Sequence, residues 1–145
     1  MIDASVAVKW VVGEVHSEAA LALLGEGVTR LAPAHWLAEA GTVLWAMSTR
    51  RGTLTRAQAE ARLDFLRGLQ VRETALPALL PEAGRLAFDL DLTCYDTLYL
   101  ALAKREGVPV VTGDLKLVEA AQRGGPTTAP LVRWVGDLPA PGPSG

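Results

Sequence analysis

The sequence predicts an open, mostly parallel α/β sheet of about five strands, with helices on both faces. Two observations carry this: short β-branched or apolar runs alternate with longer Ala/Leu-rich segments, and Gly or Pro marks most of the junctions between them. A third is size. At 145 residues the chain is one domain by length and can bury most of the surface it would expose unfolded.

The strand candidates are Met1–Ile2, 28–32, 71–74, 110–112 and 131–135, the second ending where Pro33 stops it. Between them lie helix candidates. Residues 5–12 form an apolar run before Gly13, and residues 16–24 an Ala/Leu-rich segment closed by Gly25 and Gly27. From Trp36 the apolar positions Leu37, Ala40, Val43, Leu44 and Met47 keep helical spacing until Arg50-Arg51-Gly52. Thr55-Arg56-Ala57-Gln58 reads as a capping box that opens a helix with a Leu63, Leu66, Leu69 stripe. Leu80 to Leu90 tolerates Pro81 in its first turn. Thr93 to Glu106 has Asp96 as its one charge before Lys104, and Leu115 to Gln122 is closed by Gly124-Gly125. Residues 1–136 are expected to form the domain, and 137–145, rich in Pro and Gly, a disordered tail.

Composition narrows the function classes. Half the residues are apolar and 21% charged, as in ordinary soluble globular proteins. No apolar run approaches the ~18 residues of a membrane span, and the opening residues lack a signal-peptide pattern. A single cysteine, Cys94, leaves no internal disulfide and fits a reducing cytoplasm. It is read as buried filler. The net charge of −2 argues against a globally basic nucleic-acid binder, but setting four acids aside leaves basic residues in excess by two.

Four acids stand at element junctions: Asp3, Glu39, Asp96 and Asp114. Each has a local explanation, because Asp3 and Asp114 can cap helices, Glu39 can complement a helix dipole, and Thr93-Cys94-Tyr95-Asp96 is a capping pattern. Together they suggest more. Loops at the carboxyl ends of parallel strands share one edge, where ligands bind, and all four acids can reach it. Four crowded carboxylates repel unless a cation intervenes. Oxygen-only ligands favour Mg²⁺ or Mn²⁺ over Zn²⁺, and a water held by a second carboxylate can attack a phosphodiester. Ser5 and Thr112 are hydroxyls that can hold waters of the cation, or simply turn hydroxyls. Lys9, Arg50, Arg51 and Arg56 are candidate contacts for the phosphates of such a substrate, with solvated helix ends as the alternative for the arginines. His16 and His35 are assigned surface or packing roles, and the four tryptophans core or interface positions.

Four separated segments together resemble the PIN-domain ribonucleases, specifically the VapC-type toxins. They are Asp3-Ala4-Ser5-Val6-Ala7-Val8-Lys9-Trp10, Pro33 to Leu44 with Glu39, Tyr95-Asp96-Thr97-Leu98-Tyr99-Leu100-Ala101, and Thr112-Gly113-Asp114-Leu115. The resemblance implies an α/β/α sandwich and Asp3, Glu39, Asp96 and Asp114 as the catalytic, metal-binding set. It also implies Mg²⁺- or Mn²⁺-dependent endonuclease action on RNA, a homodimer, and a small antitoxin protein that blocks the site. The first strand is shorter than in the family, and the stretch after Trp134 is extra. Two rivals are weighed: a catalytically inactive PIN-fold module that binds RNA or protein, and a phospho-acceptor receiver domain. The receiver would need an early pair of adjacent acids and a late lysine after a strand, and residues 131–135 supply no such lysine.

Overall fold

The computed structural model describes residues 1–139. Its elements are α1 (Ala4–Val11), α2 (Ser17–Leu21), β1 (Leu31–Pro33), α3 (Trp36–Thr49), α4 (Arg56–Arg67), β2 (Arg72–Thr74), α5 (Leu80–Leu90), α6 (Cys94–Glu106), β3 (Val110–Thr112), α7 (Leu115–Arg123) and β4 (Val132–Trp134). Strands β1 and β2 pair in parallel, with Leu31 opposite Arg72, and so do β3 and β4, with Val110 opposite Val132.

The two pairs meet at Met1–Asp3. Ile2 forms a parallel bridge with Val111, and its N–H donates to Leu31 O at 3.0 Å. On the other side Val111 N–H donates to Met1 O at 2.8 Å. The expected five-stranded sheet is therefore realised as β2-β1-Ile2-β3-β4, its middle member contracted to one bridging residue. The chain turns into α1 at Ala4, before a longer ladder can form.

Several local expectations need correction. The strand expected at 28–32 starts at Leu31 and includes Pro33, because Gly27 at φ +77° and a Val28-to-Gly25 turn occupy the preceding stretch. Pro33 is accommodated because the neighbouring Ala34 N–H makes the bond to Thr74 O, at 2.9 Å. Alternation then directs the missing donor of Pro33 toward the side where the first segment has already ended. His16 is not helical: it precedes α2 in the left-handed region at φ 66°. Its ring meets the edge of Trp134 at 5.4 Å, a packing role. Cys94 is exposed, since the first residue of α6 projects from the sheet edge instead of into the core. The tail expected to be disordered lies, from residue 140 on, outside the described residues.

Helix α6 is the hub. Every residue from Thr97 to Ala103 is buried, and the helix lies against α5, where Thr97 Oγ1 donates to Ala83 O at 2.8 Å. A helix apolar on all sides must be enclosed on all sides. Trp36 and Trp10 are core residues whose indole N–H groups donate to Glu73 Oε1 and Ala20 O, both at 2.8 Å, whereas Trp45 is exposed. The capping box of Thr55 and Gln58 is present in full. Among the described residues no helix is long and apolar enough to cross a membrane.

Candidate active site

The topology collects the acids. Asp3 follows the bridging residue Ile2, Asp114 follows β3 by two residues, and Glu39 lies in the first turn of α3, just after β1. Helix α6 runs into β3 through Gly107, so its C-terminus sits at the amino end of that strand and its N-terminus at the carboxyl end. Asp96, in the first turn of α6, therefore reaches the same edge as the other three. All four line one cleft of about 580 Å³, with Ser5, His35, Thr42, Tyr95 and Tyr99 among its other polar walls and Ala4, Ala38, Val43 and Leu117 among its apolar ones.

Asp3 is the most deeply fixed, at 5% exposure. Its Oδ1 accepts from the Ser5 hydroxyl at 2.6 Å and from Val6 N–H at 3.1 Å, so it does cap α1. Its Oδ2 accepts from the Thr112 hydroxyl. Ser5 and Thr112 are thus turned onto Asp3 itself, and each also accepts a backbone N–H, from Gly113 at 2.7 Å and Asp114 at 2.9 Å. Burial pushes the Asp3 carboxyl up to about 6. Those hydrogen bonds pull the other way, and the nearby Asp114 adds to the rise.

Glu39 and Asp96 form the other half of the cluster. The Tyr99 hydroxyl, 2% exposed, donates to Glu39 Oε2 at 2.5 Å, and His35 Nε2 lies 3.6 Å from Oε1. Burial raises the Glu39 pKa, the Tyr99 hydrogen bond opposes this, and Asp96 reinforces it. Burial and Glu39 together lift the Tyr99 phenol far above its ordinary value, so it remains a donor. Asp96 accepts the Thr93 hydroxyl at 2.8 Å, while its own N–H donates to Thr93 Oγ1 at 3.3 Å. Only one half of a capping box is therefore built there. Asp114 caps α7 by accepting Lys116 N–H at 2.9 Å.

His35, Tyr95 and Tyr99 are the cleft residues that sequence reasoning passed over. His35 Nε2 donates to Tyr95 O at 3.0 Å, and its buried Nδ1 has no partner. Burial lowers its pKa, which the Tyr95 carbonyl and Asp96 oppose. A signal existed: His35 stands four residues before Glu39, and Tyr99 three after Asp96, so each shares a helical face with an acid.

The basic candidates lie elsewhere. Lys9 Nζ turns to Glu14 at 3.3 Å and Val15 O at 2.9 Å, while its aliphatic stem passes over Gly113, where an added Cβ would lie 2.8 Å from Lys9 Cε. The loop after Gly13 brings Glu14 back to the helix, where it pairs with the Lys9 ammonium. Arg50 stacks on Trp45 at 4.9 Å, Arg56 pairs with Glu60 at 2.7 Å, Arg51 is exposed, and none of them lines the cleft.

The donor set suits a hard divalent cation. It consists of carboxylate oxygens with hydroxyls behind them, and the acids interact unfavourably in pairs, Asp114 with Asp3 and Asp96 with Glu39. Among the described residues no group of three or more His, Cys, Asp or Glu is placed so that all could hold one metal ion. An ion such as Mg²⁺, which keeps several waters, needs only one or two direct carboxylates.

Parallel strands, crossing helices and acids gathered at the carboxyl edge define the class. Residues 1–122 match the PIN domain family, and the chain belongs to that family. Over 89 residues it is 39% identical to Ribonuclease VapC3 of Mycobacterium tuberculosis, in strains CDC 1551 / Oshkosh and ATCC 25618 / H37Rv. The match spans 61% of this chain and 63% of the length of those relatives. The fold is similar to the crystal structure of PAE2754 from Pyrobaculum aerophilum, with TM-score 0.66 and 25% identity over 93% of this chain and 82% of that one.

Proposed function

We propose that this chain is a Mg²⁺- or Mn²⁺-dependent endoribonuclease that hydrolyses RNA phosphodiesters, with Asp3, Glu39, Asp96 and Asp114 as its catalytic and metal-binding residues. One observation carries the reading: four carboxylates from four separate junctions line one cleft, and Asp3 is buried there beneath dedicated hydroxyl donors. The ribonuclease name of the relatives supports it. A bound cation would offset the charge that develops on the phosphate and make an attacking water more acidic.

The chain's own groups divide the remaining work. Asp3 has roughly four acceptor sites on its two oxygens and commits three to Ser5, Val6 and Thr112, which fixes its orientation and leaves one for an ion. Glu39 is half-buried with raised proton affinity, which suits it to take a proton from the attacking water. Tyr99 holds that carboxylate by one oxygen and leaves the other available. Asp96 and Asp114, each held at a helix start, complete the acidic edge.

The resemblance to VapC-type toxins extends the proposal to a homodimeric cytoplasmic toxin neutralised by a cognate antitoxin protein. The test is RNA cleavage by purified protein with Mg²⁺ or Mn²⁺, beside thermal unfolding with and without the ion. Wild type should cut RNA and gain stability from metal, and Asp96→Asn should lose both. No cleavage, together with an identical metal response in Asp96→Asn, would overturn the enzyme reading. No cleavage by wild type, together with metal-independent RNA binding that survives the substitution, would instead favour a non-catalytic PIN-fold module.

A further inference from the structure

An acidic cleft that cuts RNA must also grip it, and among the described residues no Lys or Arg lines this one. The usual electrostatic hold on phosphates is missing from its walls. What the cleft offers is apolar and aromatic surface, and its three rings form a graded series. Tyr99 is 2% exposed, His35 7% and Tyr95 64%. They pack in that order as tilted pairs: the His35 ring lies 4.9 Å from Tyr99 and 5.9 Å from Tyr95, at 43° and 38°. His35 Nε2 is also bonded to Tyr95 O, which ties the middle ring to the backbone of the outer one.

Tyr95 is therefore backed by the buried His35 ring, itself packed on Tyr99, while most of its own surface is open to solvent, and it immediately precedes Asp96. Planar, exposed and braced, it has the properties of a base-stacking platform, and stacking tolerates any base because each has a π face. Resting on the endoribonuclease reading, we propose that Tyr95 stacks against a nucleobase next to the scissile phosphate, with His35 as a positioning residue behind it. This supplies the substrate grip that the cleft's charges do not.

The test uses full-length Asp96→Asn protein, which blocks turnover, with short single-stranded RNA and Mg²⁺, followed by fluorescence anisotropy. Adding Tyr95→Ala should raise the dissociation constant about tenfold, the scale of one lost base–aromatic stack, while Tyr95→Phe and Tyr95→Trp should hold it near the parent value. RNAs carrying one abasic position at a time should include one position at which the parent binds as weakly as Tyr95→Ala. Unfolding temperatures within experimental error, expected for so exposed a side chain, would tie the loss to binding. Equal affinity of Tyr95→Ala and parent for every RNA would overturn the platform and leave Tyr95 as a surface or protein-contact residue. Equal losses in Tyr95→Phe and Tyr95→Ala would also overturn it, because the phenol and not the ring face would then be the contact. If the parent binds no RNA while wild type still cuts it, the platform is overturned and the endoribonuclease reading stands; if wild type cuts none either, both fall.

Discussion

Asp3 shows how a buried acid costs stability when left without a cation. Its folded pKa, about 6 against an ordinary 3.8, means that the native state holds a proton which the unfolded state has released. Stability from this group is therefore highest below about pH 4 and declines as pH rises to about 6, by roughly 3 kcal/mol at about 1.4 kcal/mol per pKa step. His35, with its lowered pKa, contributes the opposite slope. The difference in unfolding free energy between wild type and Asp3→Asn isolates the Asp3 part. Measured without metal, it should move against wild type between pH 4 and 6, and saturating Mn²⁺ should shrink the change. Tyr99 supplies a second prediction. Tyr99→Phe keeps the ring but removes the donor to Glu39, so it should cost about 2 kcal/mol in denaturant unfolding and weaken the Mn²⁺-induced stabilisation. The four acids were legible in the sequence because charges at junctions of apolar elements are conspicuous. Tyr95, Tyr99 and His35 were not, because their roles come from contacts across 60 residues or more, or from exposure.

Helix α6 shows what was legible at the scale of an element. Its run without charge, broken only by Asp96, predicted a buried helix, and Gly107 at φ 68° ends it as a left-handed cap. Leu100 is fully buried within it, so Leu100→Ala should destabilise by about 3 kcal/mol, read as a shift of the urea midpoint at unchanged slope. Helices declare themselves over three or four turns. Strands of three residues do not, which is why the boundary of β1 moved to Leu31 and the first strand shrank to a bridge. The pairing of Lys9 with Glu14 was not legible for a related reason: it depends on the irregular loop after Gly13.

At the scale of the molecule, the sheet is two parallel pairs joined through Ile2, and the cluster straddles the join, with Glu39 after β1 and Asp114 after β3. The alternation of elements predicted this edge, because parallel strands place all their carboxyl ends on one side of the sheet. Ile2→Ala removes a fully packed side chain at the join. It should cost about 3 kcal/mol and also broaden the unfolding transition as the halves lose their coupling, a result that calorimetry would show.

The hydroxyl that holds Asp3 belongs to Thr112, 109 residues away. During synthesis the acid emerges early and waits for its partner until nearly the whole domain has been made. On the proposed endoribonuclease reading, an unfinished chain is therefore inactive. Nascent chains arrested before Thr112 should leave RNA intact, whereas chains arrested with α7 clear of the exit tunnel should cut it.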